Sequence, residues 1–427
     1  MKKVAFKTLG CRLNIFETDS IVSQFSSNGY DIVDFNDEAD VYIINTCTVT
    51  NQSDHKSRQE ISRSNKKNKD AITVVTGCMA TNYKEKLSEK EDIDYVIDND
   101  HKTSVFSIVD AHTKGEILAP EKYEKDLFGY EAAKDTFHTR SFIKIQDGCN
   151  QFCTYCIIPK VRGRATSRPV NEVINNIKKV VEYGFKEVVL TGVNLGRYEY
   201  EGIDFEALVE RILNIPGDFR IRISSIEPDG YSESFFRLFE NPKLTPHMHI
   251  CLQSGSENIL KRMRRMYTAE DFASLIERVR NKYPEFNVTT DIIVGFPGET
   301  EEEFLETLDF IKKVKFGHIH TFKYSLRKGT RAEKFPDHIP DRVKTARSEI
   351  IRKTSEHHRF EYRKNFIGKQ QTVLVEKVEN GFAFGHGENY IPVKIKGQDF
   401  TKNTFYKAII IDIDNSGEEP VLIANLL

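Results

Sequence analysis

Residues 149–156 read Cys149-Asn-Gln-Phe-Cys153-Thr-Tyr-Cys156, three thiols spaced C-x₃-C-x₂-C in one short segment. Thiols this close can close around a single metal centre. A [4Fe–4S] cube has four iron corners, and cysteine thiolate is their usual ligand. Three cysteines therefore leave one iron without a ligand from this run. An open metal position is where a substrate can be bound and activated. Zinc is the rival occupant, but zinc ribbons present two separated C-x₂-C pairs and the second pair is missing. A chance grouping of core thiols does not account for this density.

With Tyr155 as the aromatic before the last cysteine, the run resembles the signature of radical S-adenosylmethionine (SAM) enzymes. That resemblance implies a [4Fe–4S] cluster on Cys149, Cys153 and Cys156 whose open iron chelates the amino and carboxylate groups of SAM. It further implies cleavage of SAM to a 5′-deoxyadenosyl radical. Spacing alone implies only a three-thiolate site.

Such a site must be positioned by the elements around it. Over residues 1–120, three apolar runs each end in a cysteine: Val4–Gly10 before Cys11, Val41–Thr46 before Cys47, and Ala71–Gly77 before Cys78. Helix-length stretches between them predict βαβ units and an open parallel α/β sheet. Ligands bind beyond the carboxyl ends of such strands, so the three cysteines should converge there on a second cluster. The segments Thr8-Leu-Gly-Cys11-Arg-Leu-Asn14, Asn45-Thr-Cys47-Thr-Val-Thr-Asn51 and Thr76-Gly-Cys78-Met-Ala80 resemble the N-terminal domain of methylthiotransferases. Residues 47–59 are most similar to the branch acting on tRNA N6-threonylcarbamoyladenosine. The resemblance implies an auxiliary [4Fe–4S] cluster on Cys11, Cys47 and Cys78 that carries the sulfur to be inserted. Lys56, Arg58, Arg63, Lys66, Lys67 and Lys69 make the following stretch basic, first as a solvated helix face and secondly as a phosphate contact. Residues 121–139, charged and without apolar period, are predicted to be a linker.

Six strand–helix cycles over 140–364 predict an incomplete (β/α) barrel or an open α/β sheet. The radical SAM resemblance selects the partial (β/α)₆ barrel. The expected strands are Phe142–Gln146, Glu187–Thr191, Arg220–Ser224, His247–Leu252, Val288–Val294 and His320–Ser325. Barrel chemistry sits at the C-terminal strand ends, and Cys149 follows the first strand. The other ends supply the expected SAM pocket: Thr191, Gly192 and Asn194; Ser224 and Glu227, the latter for a ribose hydroxyl; Gln253; and Gly295 on the adenine side. Tyr155 joins them from the cysteine run. Cys251 is predicted to lie inside the fourth strand as an inert buried thiol. Arg162, Arg164 and Arg168 after the cysteine run, and Arg264 and Arg265 after the fourth strand, are expected to contact RNA, because a guanidinium forks onto phosphate. Residues 341–369 look helical, with nine Lys and Arg against four Asp and Glu, a further candidate RNA support.

Residues 365–427 change to short alternating strands broken at Asn380-Gly381, Gly397 and Asn415-Ser-Gly417, which predicts a small antiparallel β-barrel. It resembles the TRAM domain associated with RNA binding. Six lysines against eight acids, with no arginine, shift most phosphate binding to the central domain.

A net charge of −2 confines any nucleic-acid surface to local patches. Seven cysteines, an odd number, suit a reducing compartment. The segment MKKVAFKTLGC has no apolar core of a signal peptide, and no run approaches a membrane span. A cytoplasmic protein without membrane contact is expected. The family resemblance implies methylthiolation at adenine C2 of N6-threonylcarbamoyladenosine 3′ to the anticodon of tRNA. It also implies an electron-donor protein and a possible sulfur donor. Within the family the alternatives are isopentenyladenosine in tRNA and a ribosomal-protein aspartate. Outside it, the alternative is a non-catalytic Fe–S or zinc RNA-binding protein.

Overall fold

A computed structural model describes every residue except 135, 137, 229 and 398. The N-terminal part is a five-stranded parallel sheet. In spatial order its strands are Asp31–Val33, Lys3–Thr8, Val41–Thr46, Ile72–Gly77 and Tyr95–Ile97. The central strand, VYIINT, is buried at every position, as expected of a parallel strand covered on both faces. Helices Arg12–Ser27 and Asn51–Lys67 follow the first and third strands in sequence. Thr50 caps the second helix by accepting from the Ser53 N–H at 3.1 Å. Cys11 is the N-cap residue of Arg12–Ser27, Cys47 directly follows Thr46, and Cys78 opens the short helix Cys78–Asn82. All three cysteines therefore stand at one edge of the sheet.

Residues 121–139 contain no strand or α-helix among the described residues. The segment is nevertheless not wholly solvated. Tyr130 is buried, edge-on to Phe16 at 5.5 Å between ring centroids. The charged residues around it obscure this one anchoring aromatic.

Six main parallel strands follow: Ser141–Lys144, Glu187–Thr191, Arg220–Ile223, His247–Ile250, Asn287–Val294 and His318–Lys323. The first three form one sheet. The last three form another with Ser225–Ile226, which continues the third strand past Ser224. No pairing joins the first and sixth strands among the described residues, so the barrel is incomplete along that seam. The helices bury one stripe each; Val170–Glu182 turns Val173, Ile177 and Val180 inward at i, i+4 and i+7. Capping boxes, Thr268 with Asp271 and Thr300 with Glu303, start two others. Helix Asp341–Lys364 packs on the sixth strand.

The C-terminal strands Gln370–Glu379, Phe382–His386, Pro392–Lys396, Val421–Leu426 and Phe405–Asp414 close into a barrel in that order. Four pairings are antiparallel, but Pro392–Lys396 runs parallel to Val421–Leu426, so the expected purely antiparallel barrel is corrected. This small barrel covers the N-terminal end of the large one, opposite the end that carries Cys149, Cys153 and Cys156. Arg220, which opens the third strand, donates to the His386 carbonyl at 3.2 Å. Asn287, which opens the fifth, donates to the Asn389 carbonyl at 2.7 Å. Arg140, just before the first, donates to the Tyr390 hydroxyl at 2.8 Å. No helix is long and apolar enough to cross a membrane among the described residues.

Candidate active site

The loop carrying Cys149, Cys153 and Cys156 is pinned by its backbone. The Cys149 N–H donates to the Gly163 carbonyl at 3.1 Å and the Thr154 N–H to the Met263 carbonyl at 3.0 Å, while the Thr154 carbonyl accepts from Ala332 at 2.8 Å. Phe152 takes a left-handed φ of 51° to fold the loop back. Burial pushes the Cys156 thiol up to about 12, and the neighbouring Cys153 adds to the shift. Burial also raises Cys149. Deprotonating thiols packed together is costly unless a cation replaces the protons. This donor set therefore fits an iron–sulfur centre.

The three N-terminal cysteines make a second thiol group. Burial pushes Cys47 up to about 11, with Cys78 and then Cys11 acting on it in the same direction. Gly10 lets the Cys11 turn close over Cys47: at a φ of 98°, an added Cβ would stand 2.7 Å from the Cys47 Cβ. Behind these thiols lies a buried ionic network. Glu17 accepts from Lys102 at 2.6 Å, Lys144 at 2.8 Å and Arg162 at 3.0 Å; Asp147 accepts from Lys144 at 2.5 Å and Arg162 at 2.9 Å. Burial alone would raise the Glu17 carboxyl, yet Arg162, Lys102 and Lys144 hold it well below the ordinary value. Arg162 stands near both Cys78 and Cys11.

The two thiol groups meet at one junction. Cys78 packs in a single apolar cluster with Ile157 and Val161, immediately after Cys156. Asn99 donates to the Val161 carbonyl at 2.8 Å from the N-terminal side. Across the same junction, Arg327 donates to Asp54 at 2.8 Å and to the Thr48 carbonyl at 3.0 Å, fixing the turn after Cys47. A cavity of about 200 Å³ between the parts is lined by Val49 and Thr50 on one side and by Cys156, Tyr155, Gln253 and Asp291 on the other.

The residues expected around SAM lie at the strand ends beside this loop. Thr191, Asn194, Ser224 and Gln253 are buried. The Asn194 side chain has neither Nδ2 nor Oδ1 bonded among the described residues. Such a buried, unsatisfied amide fits a polar ligand. A Cβ on Gly192 would stand 2.8 Å from the Leu195 side chain and 3.1 Å from Gln146, and Gly295, at a φ of 71°, donates its N–H to Glu299 at 2.7 Å. Tyr155 packs edge-on to Phe296, 6.4 Å away. Glu227, expected at a ribose hydroxyl, is paired with Arg265, which also donates to the Cys153 Sγ at 3.1 Å.

Three of the five arginines expected on RNA lie elsewhere. Arg162 belongs to the buried network described above. Arg168 is buried against the Tyr130 carbonyl at 3.1 Å and Glu172 at 3.2 Å. The Arg265 side chain, 3% exposed, serves Cys153, Glu227 and Tyr267. Arg164 and Arg264 are exposed. Within helix Asp341–Lys364, Arg347, Arg359 and Arg363 are also buried, which reduces its outward basic face. Cys251 follows the fourth strand rather than lying inside it. It is half-buried, with its Sγ 3.9 Å from Asp291, and Asp291 pairs with His249 at 3.2 Å. Sequence reasoning missed Asn14, Glu17, Lys102, Lys144, Asp147 and Arg327. The available signal was the polar set Asn14, Glu17 and Thr18, on one face of the helix that begins after Cys11.

Comparison with known proteins agrees with this arrangement. The Radical SAM superfamily matches residues 143–311, and the Uncharacterized protein family UPF0004 matches residues 3–98. The chain is 37% identical over 405 residues to the threonylcarbamoyladenosine tRNA methylthiotransferase MtaB of Aquifex aeolicus, covering 92% of this chain and 97% of that one. Its identity to the Bacillus subtilis protein of the same name is 38%, covering 98% and 95%. A tRNA-2-methylthio-N(6)-dimethylallyladenosine synthase of Syntrophus aciditrophicus is 34% identical, covering 88% and 84%. Among solved structures, the radical SAM methyltransferase TsrM of Kitasatospora setae superposes with a TM-score of 0.55 at 15% identity, covering 75% of each chain, a likeness of fold. With two cysteine triads facing one junction and relatives this similar over almost its whole length, the chain belongs to the radical SAM methylthiotransferase family.

Proposed function

We propose that this protein inserts a methylthio group at adenine C2 of N6-threonylcarbamoyladenosine at position 37 of tRNA, 3′ to the anticodon. The observation that carries the reading is the packing of Cys78 on Ile157 and Val161, which brings the N-terminal thiols to the loop that ends at Cys156. Methylthiolation needs a sulfur site and a radical site at one carbon, and proximity makes the transfer effectively intramolecular. Cys149, Cys153 and Cys156 hold one [4Fe–4S] cluster, and Cys11, Cys47 and Cys78 hold the other. With SAM bound, the first supplies the one-electron chemistry that an unactivated C–H bond requires.

The remaining roles belong to the chain. Tyr155, Thr191, Gly192, Asn194, Ser224, Gln253 and Gly295 surround SAM, and the free Asn194 amide gives it a polar anchor. Arg265 holds Cys153 and Glu227 together beside it. Ile157 and Val161 keep water from the space between the thiol groups. A base in a hairpin loop is extruded more cheaply than one in a duplex, which suits an anticodon-loop substrate. Arg164 and Arg264 remain as phosphate contacts. An electron-donor protein, a possible sulfur donor and a cytoplasmic setting complete the proposal.

The test is anaerobic turnover of reconstituted protein with SAM and reductant, followed by mass spectrometry of nucleosides. Substrates are tRNA bearing threonylcarbamoyladenosine and tRNA bearing isopentenyladenosine. A methylthio mass gain on the first alone is expected. A gain on the second alone moves the protein to the sister branch; SAM cleavage without either gain removes tRNA as substrate.

A further inference from the structure

Below the cysteine loop, the inside of the incomplete barrel is polar. Alternate residues of a strand share a face. Thus His247 and His249 of the fourth strand, Thr289 of the fifth, and His318 and His320 of the sixth line one cavity of about 240 Å³. Arg12 enters it from the first helix, which packs on the first barrel strand, and Tyr390 closes it from the C-terminal barrel. The cavity therefore lies along the unpaired seam. The His249–Asp291 pair separates it from the cavity containing Cys156, since His249 lines one and Asp291 the other.

Arg12 follows Cys11 directly and makes no hydrogen bond or ion pair among the described residues, although it is half-buried. Arg222 lies close by, buried, with its guanidinium carbon 3.5 Å from the Tyr390 ring centre and its Nε and Nη1 unbonded. The acids around the cavity are already engaged: Asp291 with His249, Glu419 with Arg363 at 2.6 Å, Glu187 with Arg220 at 2.7 Å, and Glu376 with Arg140 and with His386 at 2.8 Å. Burial, aided by neighbouring cations, lowers His247, His318 and His320, leaving them as neutral hydrogen-bonding groups. The result is surplus guanidinium charge beside the neutral imidazoles of His247, His318 and His320, which suits an anion that also carries hydroxyl or amide groups.

The dimethylallyl group of the sister branch has no such chemistry, whereas a threonylcarbamoyl group carries a carboxylate, a hydroxyl and a urea. On adenine, C2 and N6 are separated by N1 and C6. A base with C2 at the auxiliary thiols therefore holds its N6 substituent away from them, and Arg12, the residue next to Cys11, lines the cavity. We propose that this seam cavity binds the threonylcarbamoyl substituent, with Arg12 pairing its carboxylate and His249 and His320 bonding its hydroxyl and urea. The assignment rests on the function proposed above. A backbone phosphate offers Arg12 the same anionic chemistry, so the test separates the two.

The experiment compares binding of wild-type protein, Arg12→Gln, Arg12→Lys and the double variant His249→Leu/His320→Leu, each reconstituted with iron and sulfide. The probes are anticodon stem-loops bearing threonylcarbamoyladenosine, isopentenyladenosine or plain adenosine at position 37, at one salt concentration. Loss of a charge-assisted hydrogen bond predicts Arg12→Gln weakening the first RNA on the order of 10- to 100-fold, with the other two unchanged and Arg12→Lys partly restoring affinity. Equal weakening on all three RNAs assigns Arg12 to phosphate and overturns the proposal, as does no weakening at all. If Arg12→Gln loses iron, the histidine double variant decides: unchanged preference for threonylcarbamoyladenosine overturns the pocket. Wild-type turnover of threonylcarbamoyladenosine alongside a silent Arg12 sinks this assignment only, while wild-type turnover of isopentenyladenosine alone sinks the functional reading itself.

Discussion

Cys47 and Asp19 are both buried and polar, and burial acts on each in a way that can be tested separately. Cys47 needs a metal to give up its proton, because burial and Cys78 hold its thiol near 11. Cys47→Ala is expected to remove the auxiliary cluster, taking iron from about eight to about four per chain, and to abolish methylthio product while SAM is still cleaved. Unchanged product from that variant refutes the assignment of the second cluster. The Asp19 carboxyl is pushed up to about 7 by burial, and its Oδ2 has no partner among the described residues. A folded-state value above the unfolded one means stability is full below pH ~4 and falls as pH rises to ~7. Asp19→Asn is therefore expected to be near neutral only below pH ~4, stabilising by about 1.5 kcal/mol at pH 5 and by at most about 4 kcal/mol at pH 8, in urea unfolding of apo protein at each pH. The grouping of the cysteines was legible, because thiols placed by close spacing or at the ends of parallel strands are brought together by local sequence alone. Arg162, Arg168 and Arg265 were not, since the same guanidinium serves phosphate or a buried carboxylate and only packing decides.

At the scale of elements, the junction between sheet and barrel depends on charges buried by three segments. The Arg12–Ser27 helix contributes Glu17, the turn after the N-terminal sheet contributes Lys102, and the start of the barrel contributes Lys144, Asp147 and Arg162. Three cations face two carboxylates, and the surplus charge lies beside Cys78 and Cys11. That placement suits a cluster of net negative charge. Glu17→Gln keeps the shape but leaves Lys102, fully buried, without its carboxylate. Breaking a buried pair from one side is expected to cost about 3–5 kcal/mol, seen as a lower urea midpoint with unchanged slope. A loss under 1 kcal/mol would show that water reaches the network. The strands that were expected were legible to within two residues, because apolar runs and turn residues are local. The three-residue edge strands Asp31–Val33 and Tyr95–Ile97 of the N-terminal sheet, too short to show a pattern, were missed. Cys251 shows the limit: the fourth strand ends at Ile250, and one residue moves that thiol from the wall to the rim. The network was illegible because its members, from Glu17 to Arg162, meet only after the chain folds.

For the molecule as a whole, RNA binding must be reconciled with a net charge of −2 and a C-terminal barrel that carries more acids than lysines. Part of that barrel is committed to the floor of the catalytic barrel through Arg140, Arg220 and Asn287, so only its outer faces remain for RNA. Exposed basic residues beside the cysteine loop then include Arg164, stacked on Phe152 of that loop at 4.5 Å, and Arg264, the left-handed residue ending helix Glu257–Met263, whose Met263 carbonyl accepts from the Thr154 N–H. The outer face of helix Asn51–Lys67 adds Arg58, Arg63 and Lys66. Each phosphate contact contributes roughly 0.7 to 0.9 to the log–log salt slope. Arg164→Ala and Arg264→Ala should each flatten the slope by about that amount and weaken modified and unmodified stem-loops alike, read by fluorescence anisotropy across a potassium chloride series. Arg168→Ala, by contrast, should leave the slope unchanged, because Arg168 is bonded inside the fold. If Arg168 flattens the slope and Arg164 does not, the RNA approaches from another face. The outward lysines of the C-terminal barrel then become the contacts to replace.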